Sequence, residues 1–205
     1  MNYDILISFA LVTAALAISP GPDNIYVLVQ SITNGKKYGI ATVFGLIAGC
    51  IIHTTLLAFG ISAIIAANAT LFFVIKLLGA FYLLYLAYSL FKSDARISFN
   101  SDNVAKKSQR QLFVQGFFMN VLNPKVTIFF LAFFPGFLFS ESMSTFVQFY
   151  VLGAVFMVVS FIVFATIALL AGQIKAYTMK NKILGVVLKW LQIVVFIGIA
   201  VFILI

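Results

Sequence analysis

Ser19-Pro20-Gly21-Pro22-Asp23-Asn24 interrupts the first long apolar stretch of this chain, and Asn123-Pro124-Lys125 interrupts the fourth. Two prolines around a glycine remove backbone donors and cannot continue a regular helix, so the first stretch must break or kink there. The part before that break, Ile5 to Ile18, would rise only about 21 Å at ~1.5 Å per residue, too short to cross a bilayer core of about 30 Å. Leu112 to Leu122, ahead of the second break, is shorter still. Both polar breaks are therefore expected at depth in a membrane, where irregular backbone is tolerated only if protein buries it or a water-filled cavity receives it.

The membrane itself follows from composition. Of 205 residues, 63% are apolar and 9% charged, against roughly a quarter charged in soluble domains. Apolar runs this long point to helices and not to the alternating strands of a barrel. Six stretches are expected to span: 5–31, 40–67, 71–91, 112–139, 146–171 and 183–205. No room remains for a soluble catalytic domain. The start of the first stretch lacks the basic region of a secretory signal, so it reads as a retained helix. The one cysteine, Cys50, can form no internal disulfide.

The net charge of +8 is a topology signal. Lys36 and Lys37 follow the first stretch; Lys92, Arg96, Lys106, Lys107 and Arg110 follow the third; Lys175, Lys180 and Lys182 follow the fifth. The remaining connections and both termini carry no Lys or Arg. By the positive-inside rule the basic connections are cytoplasmic and both termini lie outside. A nucleic-acid partner would want these cations gathered on one folded surface with aromatics among them, which short connections do not supply.

Three crossings per half force the second half into opposite orientation. The expectation is therefore an all-α integral membrane protein of six transmembrane helices, arranged as two inverted three-helix repeats, the first helix of each repeat broken at a proline motif. Residues 1–205 form one transporter domain, with repeat one at 1–91, a cytoplasmic linker at 92–111 and repeat two at 112–205. Lys76 and Lys189 fall at similar stations in the third and sixth stretches.

A charge near the bilayer centre is costly unless paired or hydrated, which favours functional roles for Asp23 and Lys125. In an inverted repeat they occupy equivalent places and could face one another, either as part of a site or as a structural pair locking the breaks. Asn24, Asn120 and Asn123 could hold substrate or satisfy freed backbone groups. His53 could relay protons or pack against a neighbouring helix, and Lys76 and Lys189 could snorkel to the membrane surface. Gly45 and Gly49 form a small-xxx-small pair suited to close helix packing. The abundant phenylalanines read as lipid-facing and core filling.

Ser-Pro-Gly-Pro-Asp-Asn at 19–24, Gly-Phe-Phe-Met-Asn-Val-Leu-Asn-Pro-Lys at 116–125, Phe-Phe-Leu-Ala-Phe-Phe-Pro at 129–135 and Lys76 ahead of Gly79-Ala80-Phe81-Tyr82-Leu83 together resemble the LysE/RhtB family of bacterial amino acid exporters. The resemblance covers nearly the whole chain. It implies a protein of the bacterial cytoplasmic membrane that exports amino acids or derivatives, such as homoserine, homoserine lactone, threonine, leucine or lysine, by proton antiport. The residues expected to bind substrate or couple it are Pro20, Gly21, Pro22, Asp23, Asn24, Asn120, Asn123, Pro124 and Lys125, with His53 and Lys76 as accessories. A zwitterion needs one place for each charge. Lys125 and the half-helix starts suit its carboxylate, Asp23 and nearby carbonyls its ammonium, and a desolvated Asp23 is the first candidate for proton coupling. Nothing calls for a cofactor or a metal, and a homo-oligomer is compatible with the sequence. A passive channel is the alternative, and a membrane-embedded serine hydrolase a weaker one, since Ser19 lacks a Gly-x-Ser-x-Gly elbow. Disulfide-exchanging electron transfer needs two thiols and is excluded.

Overall fold

In a computed structural model of the chain, residues 2–93, 107–180 and 182–204 are described, and every regular element among them is helical. Arg96 and Lys106 of the expected linker, and Ile205, lie outside the described residues, as do the side chains of Lys180 and Lys182.

The stretch expected to make the first crossing is α1 (Tyr3–Ile18) and α2 (Pro22–Thr33), which meet at 60°. The second is α3 (Lys36–Leu56), a π-helical turn at Leu57–Ile61 and α4 (Ser62–Ala67); the third is α5 (Ala69–Lys92). The fourth begins as α6 (Gln109–Val121) and bends by 49° at Asn123. It does not resume as a regular half-helix. Only α7 (Pro124–Ile128) is α-helical, followed by a π turn at Phe129–Phe133 and a 3-10 turn at Phe134–Phe137. α8 (Thr145–Leu169) and α10 (Lys182–Leu204) complete the set. Between them stands α9 (Ala171–Lys180), which the sequence reading treats as a connection. Among the described residues four helices are long and apolar enough to cross a membrane unaided, and the two bent pairs raise the count to six if each is one span.

Helix starts carry their own caps. Asn68 accepts a hydrogen bond from the Leu71 N–H at 2.9 Å, and Ser108 and Gln111 form a reciprocal capping box at the start of α6. Such side chains satisfy amides that have no partner within the helix. Apolar side chains such as Leu11, Phe44, Leu78, Phe81, Val158 and Val194 stand exposed around the bundle. That surface suits lipid and not water.

The tightest joint is α3 against α6. A Cβ on Gly45 would run into the Phe113 carbonyl, one on Gly49 would lie 2.6 Å from Asn120 Oδ1, and one on Gly116 would lie 2.5 Å from the Thr42 carbonyl. Backbone meets backbone at Gly45 and Gly116, while Gly49 makes room for the Asn120 side chain, the close packing that the Gly45/Gly49 spacing predicts. Later residues of α3 meet later residues of α6, so these helices run parallel. α5 and α10 run antiparallel, because Lys189 near the start of α10 donates to the carbonyls of Phe91 (2.9 Å) and Ser93 (2.6 Å) at the end of α5. Its ammonium also lies 6.0 Å from the Phe91 ring, and Lys92 lies 4.5 Å from that of Tyr88. The described basic residues at the starts of α3 and α6 and at the end of α5 thus gather at one end of the bundle, with the Asn2 N–H bound to the Phe139 carbonyl at the other.

Gly45→Val forces a branched side chain into backbone, which cannot swing aside. It is expected to cost about 1–3 kcal/mol, the usual range for overpacking, seen as a lower melting temperature of the detergent-solubilised protein. Gly198→Ala, with open space around its Cα, leaves that temperature unchanged.

Candidate functional site

Each break has the same local grammar: Gly21-Pro22-Asp23 opens α2 and Asn123-Pro124-Lys125 opens α7. Proline suits a first helical position because its missing N–H would have found no partner there. The price of each break is a set of backbone groups stranded in a low-dielectric interior, and side chains take them up. Asn24 Nδ2 reaches back across the first break to the Ala17 carbonyl at 2.6 Å. Asn123 Oδ1 accepts from the Lys125 N–H at 3.0 Å, while its Nδ2 donates to Asp23 Oδ2 at 3.0 Å. One amide therefore caps the second break and ties it to the first. His53 Nε2 lies 3.1 Å from the Asn120 carbonyl; a carbonyl can only accept, so Nε2 carries the proton. The imidazole also packs 5.3 Å from the Phe130 ring.

The breaks enclose a cavity of about 40 Å³. Gly21, Pro22, Asp23 and Asn24 line it from one break, and Asn120, Asn123 and Lys125 from the other. Cys50 of α3 and Phe156, Ser160 and Phe164 of α8 close it. Asp23 is 7% exposed and Ser160 2%, so neither gains much from bulk water. The Lys125 ammonium lies 5.1 Å from the centre of the Phe196 ring and 3.7 Å from where a Cβ on Gly21 would stand. Among the described residues Ser160 Oγ has no hydrogen-bond partner, although a helical serine can ordinarily bond back to its own helix.

Seven of the expected site residues thus share one cavity. Pro20 lines a second, apolar cavity beside it, and Pro124 forms the first turn of α7. His53 stands behind the wall, against the Asn120 backbone. Lys76 is half-buried on α5 and does not contribute to the lining. Asp23 and Lys125, expected to face one another, sit in the same cavity, but the hydrogen bond to Asp23 comes from Asn123. Two lining residues with a hydroxyl or thiol escape the sequence reading: Cys50, whose thiol lies 3.7 Å from Asn120 Oδ1, and Ser160. A lone hydroxyl or thiol within an unbroken apolar helix carries no local signal; only the partner helix reveals it.

The sequence profile of the LysE type translocators matches residues 14–205. A homoserine/homoserine lactone efflux protein of Salmonella typhimurium is 28% identical over 86% of this chain and 85% of its own length. An uncharacterized membrane protein of Vibrio cholerae is 27% identical over 90% of this chain and 93% of its own, and membrane protein YrhP of Bacillus subtilis is 31% identical over 65% and 67%. No solved structure matches. A profile that spans both proline breaks and all the helices between and beyond them makes this chain a member of the LysE type translocator family.

Proposed function

We propose that the protein is a secondary active exporter of amino acids or close derivatives, working by proton antiport with alternating access around the cavity between the two breaks. The observation that carries this reading is the convergence of two interrupted crossings on one small polar space. It holds a carboxylate, an ammonium and an unpartnered hydroxyl. A zwitterionic cargo would set its ammonium against Asp23 and Ser160 and its carboxylate against Lys125 and the free amides at the start of α2. The named activity of the Salmonella relative, efflux of homoserine and its lactone, supports a cargo of the amino acid class.

The cavity's volume supports a carrier over a pore. About 40 Å³ accommodates roughly one water, whose share of the liquid is ~30 Å³, and no amino acid. Cargo can enter only if helices move. Proton coupling fits Asp23, which can bind cargo or a proton in turn, while Lys125 beside it holds the balance between the two.

Packing supports the inverted repeat. Exchange of the first three crossings for the last three turns the contact of the second with the fourth into that of the fifth with the first, and both are extensive. Third with sixth and second with fifth map onto themselves, and both pack. With the basic end in the cytoplasm, both termini lie on the outer side of the bacterial inner membrane.

Asp23→Asn is expected to reduce efflux driven by a pH gradient in proteoliposomes at least tenfold, because a charge-assisted contact contributes about 1.5–3 kcal/mol. The variant should still be recovered from the membrane in folded form. Coupled efflux at the wild-type rate would refute the role. A second test concerns the charges themselves. Lys125→Met alone leaves Asp23 buried beside no cation and should lower the melting temperature. The double variant with Asp23→Asn should recover most of the loss, with a coupling of about 1 kcal/mol or more between the sites. Simple additivity would show that the two charges do not sense each other.

A further inference from the structure

Beside the polar cavity lies a larger one of about 330 Å³, between the first crossing, the second half of α8, and helices α9 and α10. It is a cleft open on one side, lined by Ile18, Ile25, Leu28, Ile162, Ile167 and Leu188, of which Ile18, Ile25 and Ile162 also stand exposed on the surface of the bundle. Three further lining residues are polar, and each has already committed a donor: Thr166 Oγ1 to the Ile162 carbonyl and Thr178 Oγ1 to the Ile174 carbonyl, both at 2.7 Å, and one N–H of Asn24 Nδ2 to the Ala17 carbonyl. What the space still offers a polar group is the second Asn24 N–H and a few acceptor oxygens.

Asn24 lines both cavities. It follows Asp23 directly, so the wall between polar and apolar space stands one residue from the carboxylate. The second half of the molecule lacks this gap at the corresponding position. There the fourth crossing packs directly on α5, where the missing side chain of Gly79 admits Ala132; a Cβ at residue 79 would lie 2.5 Å from it. The apolar space thus belongs to the half of the first crossing nearest the basic end, the side from which an exported compound comes.

We propose that this cavity is the subsite for the cargo's side chain, and that the preferred cargo is an amino acid with a branched aliphatic side chain of leucine or isoleucine size. The assignment rests on the exporter reading above, with the ammonium and carboxylate held between Asp23 and Lys125. The side chain then passes the Asn24 wall into hydrocarbon surroundings. A hydroxyl or ammonium on the side chain would exchange its water for the few acceptor oxygens of Asn24, Thr166 and Thr178 within a mainly apolar wall, so homoserine and lysine are disfavoured relative to leucine.

The test uses the full-length protein in proteoliposomes with an outward-driving pH gradient and labelled leucine, alanine and homoserine. Leucine should be transported with a kcat/KM roughly ten- to a hundredfold above homoserine, the range a few methylenes supply in an apolar pocket. Ile167→Phe fills the cavity and should lower leucine transport at least about fivefold while sparing alanine, whose side chain does not reach it. Leu28→Ser, which makes the wall polar, should narrow the gap between leucine and homoserine. Should either cavity variant fold poorly, alanine transport exposes it, because a folding defect lowers all three substrates together. Equal use of leucine and homoserine, with leucine and alanine falling in parallel in Ile167→Phe although the protein melts normally, would overturn the subsite and leave the exporter standing. It would also be the result if a lipid acyl chain fills the space. Absence of gradient-driven transport of all three would overturn the exporter reading and the subsite with it.

Discussion

A polypeptide cannot leave an N–H or a carbonyl unpaired in hydrocarbon, and this chain breaks two of its long apolar stretches. Everything distinctive about its centre follows from how the stranded groups are satisfied. Asn24 takes the carbonyl end of α1, Asn123 takes the first free amide of α7, and His53 takes the carbonyl of Asn120. These three side chains are committed to holding backbone. Once they are assigned, the polar groups of the lining with capacity to spare are few: the Lys125 ammonium, the remaining acceptor sites of Asp23, the Ser160 hydroxyl, the Asn120 amide and what is left of the Asn24 carboxamide. The polar wall of the candidate site is built from this remainder.

The same accounting explains the irregular course of the chain after Pro124. A regular helix from there would carry its side chains at a fixed angular step. The π and 3-10 turns of Phe129–Phe137 change that step, so that Phe129, Phe130, Phe133, Phe134 and Phe137 are all buried within one short segment. They pack on Phe9 of α1 and Phe156 of α8, with ring centres 4.8 Å apart for Phe9 and Phe134 and 4.9 Å for Phe130 and Phe156. This aromatic mass stands between the cavity and the end of the bundle opposite the basic connections. The π turn of the second crossing, Leu57–Ile61, packs against it. Wide turns of this kind are frequent at functional sites.

What could be read in the sequence was local. Apolar length, proline in mid-stretch and the alternation of basic connections each act within a few residues, and they suffice for a helical membrane protein with two broken crossings. The Gly45/Gly49 spacing also announced its purpose, since a helix face stripped of side chains has little other use. What could not be read depends on partners far along the chain. Asn24 and Asn123 are equally polar beside their prolines, yet one is occupied mainly with its own break and the other crosses to Asp23, a hundred residues away. Lys76 and Lys189 hold matching stations, but only Lys189 meets the open carbonyl end of another helix within the described residues. α9 was missed because ten residues of mixed polarity do not distinguish a surface helix from a loop until α2 and α10 pack beside it.

The tight joint between α3 and α6 limits how any opening could occur. Glycines put backbone against backbone there, and a slide of even one residue along either helix would bring larger side chains into those gaps. Asn120 and His53 lie at the same joint, so the second break is anchored to α3 on its α6 side. The first break has no such anchor towards α10, where the apolar cavity intervenes. On the alternating-access reading, α3 and α6 move as one body, and freedom belongs to α2 and to the aromatic segment after Pro124. The two candidate moving parts then lie on opposite sides of the cavity, which is the arrangement a carrier needs if one side is to open while the other stays closed.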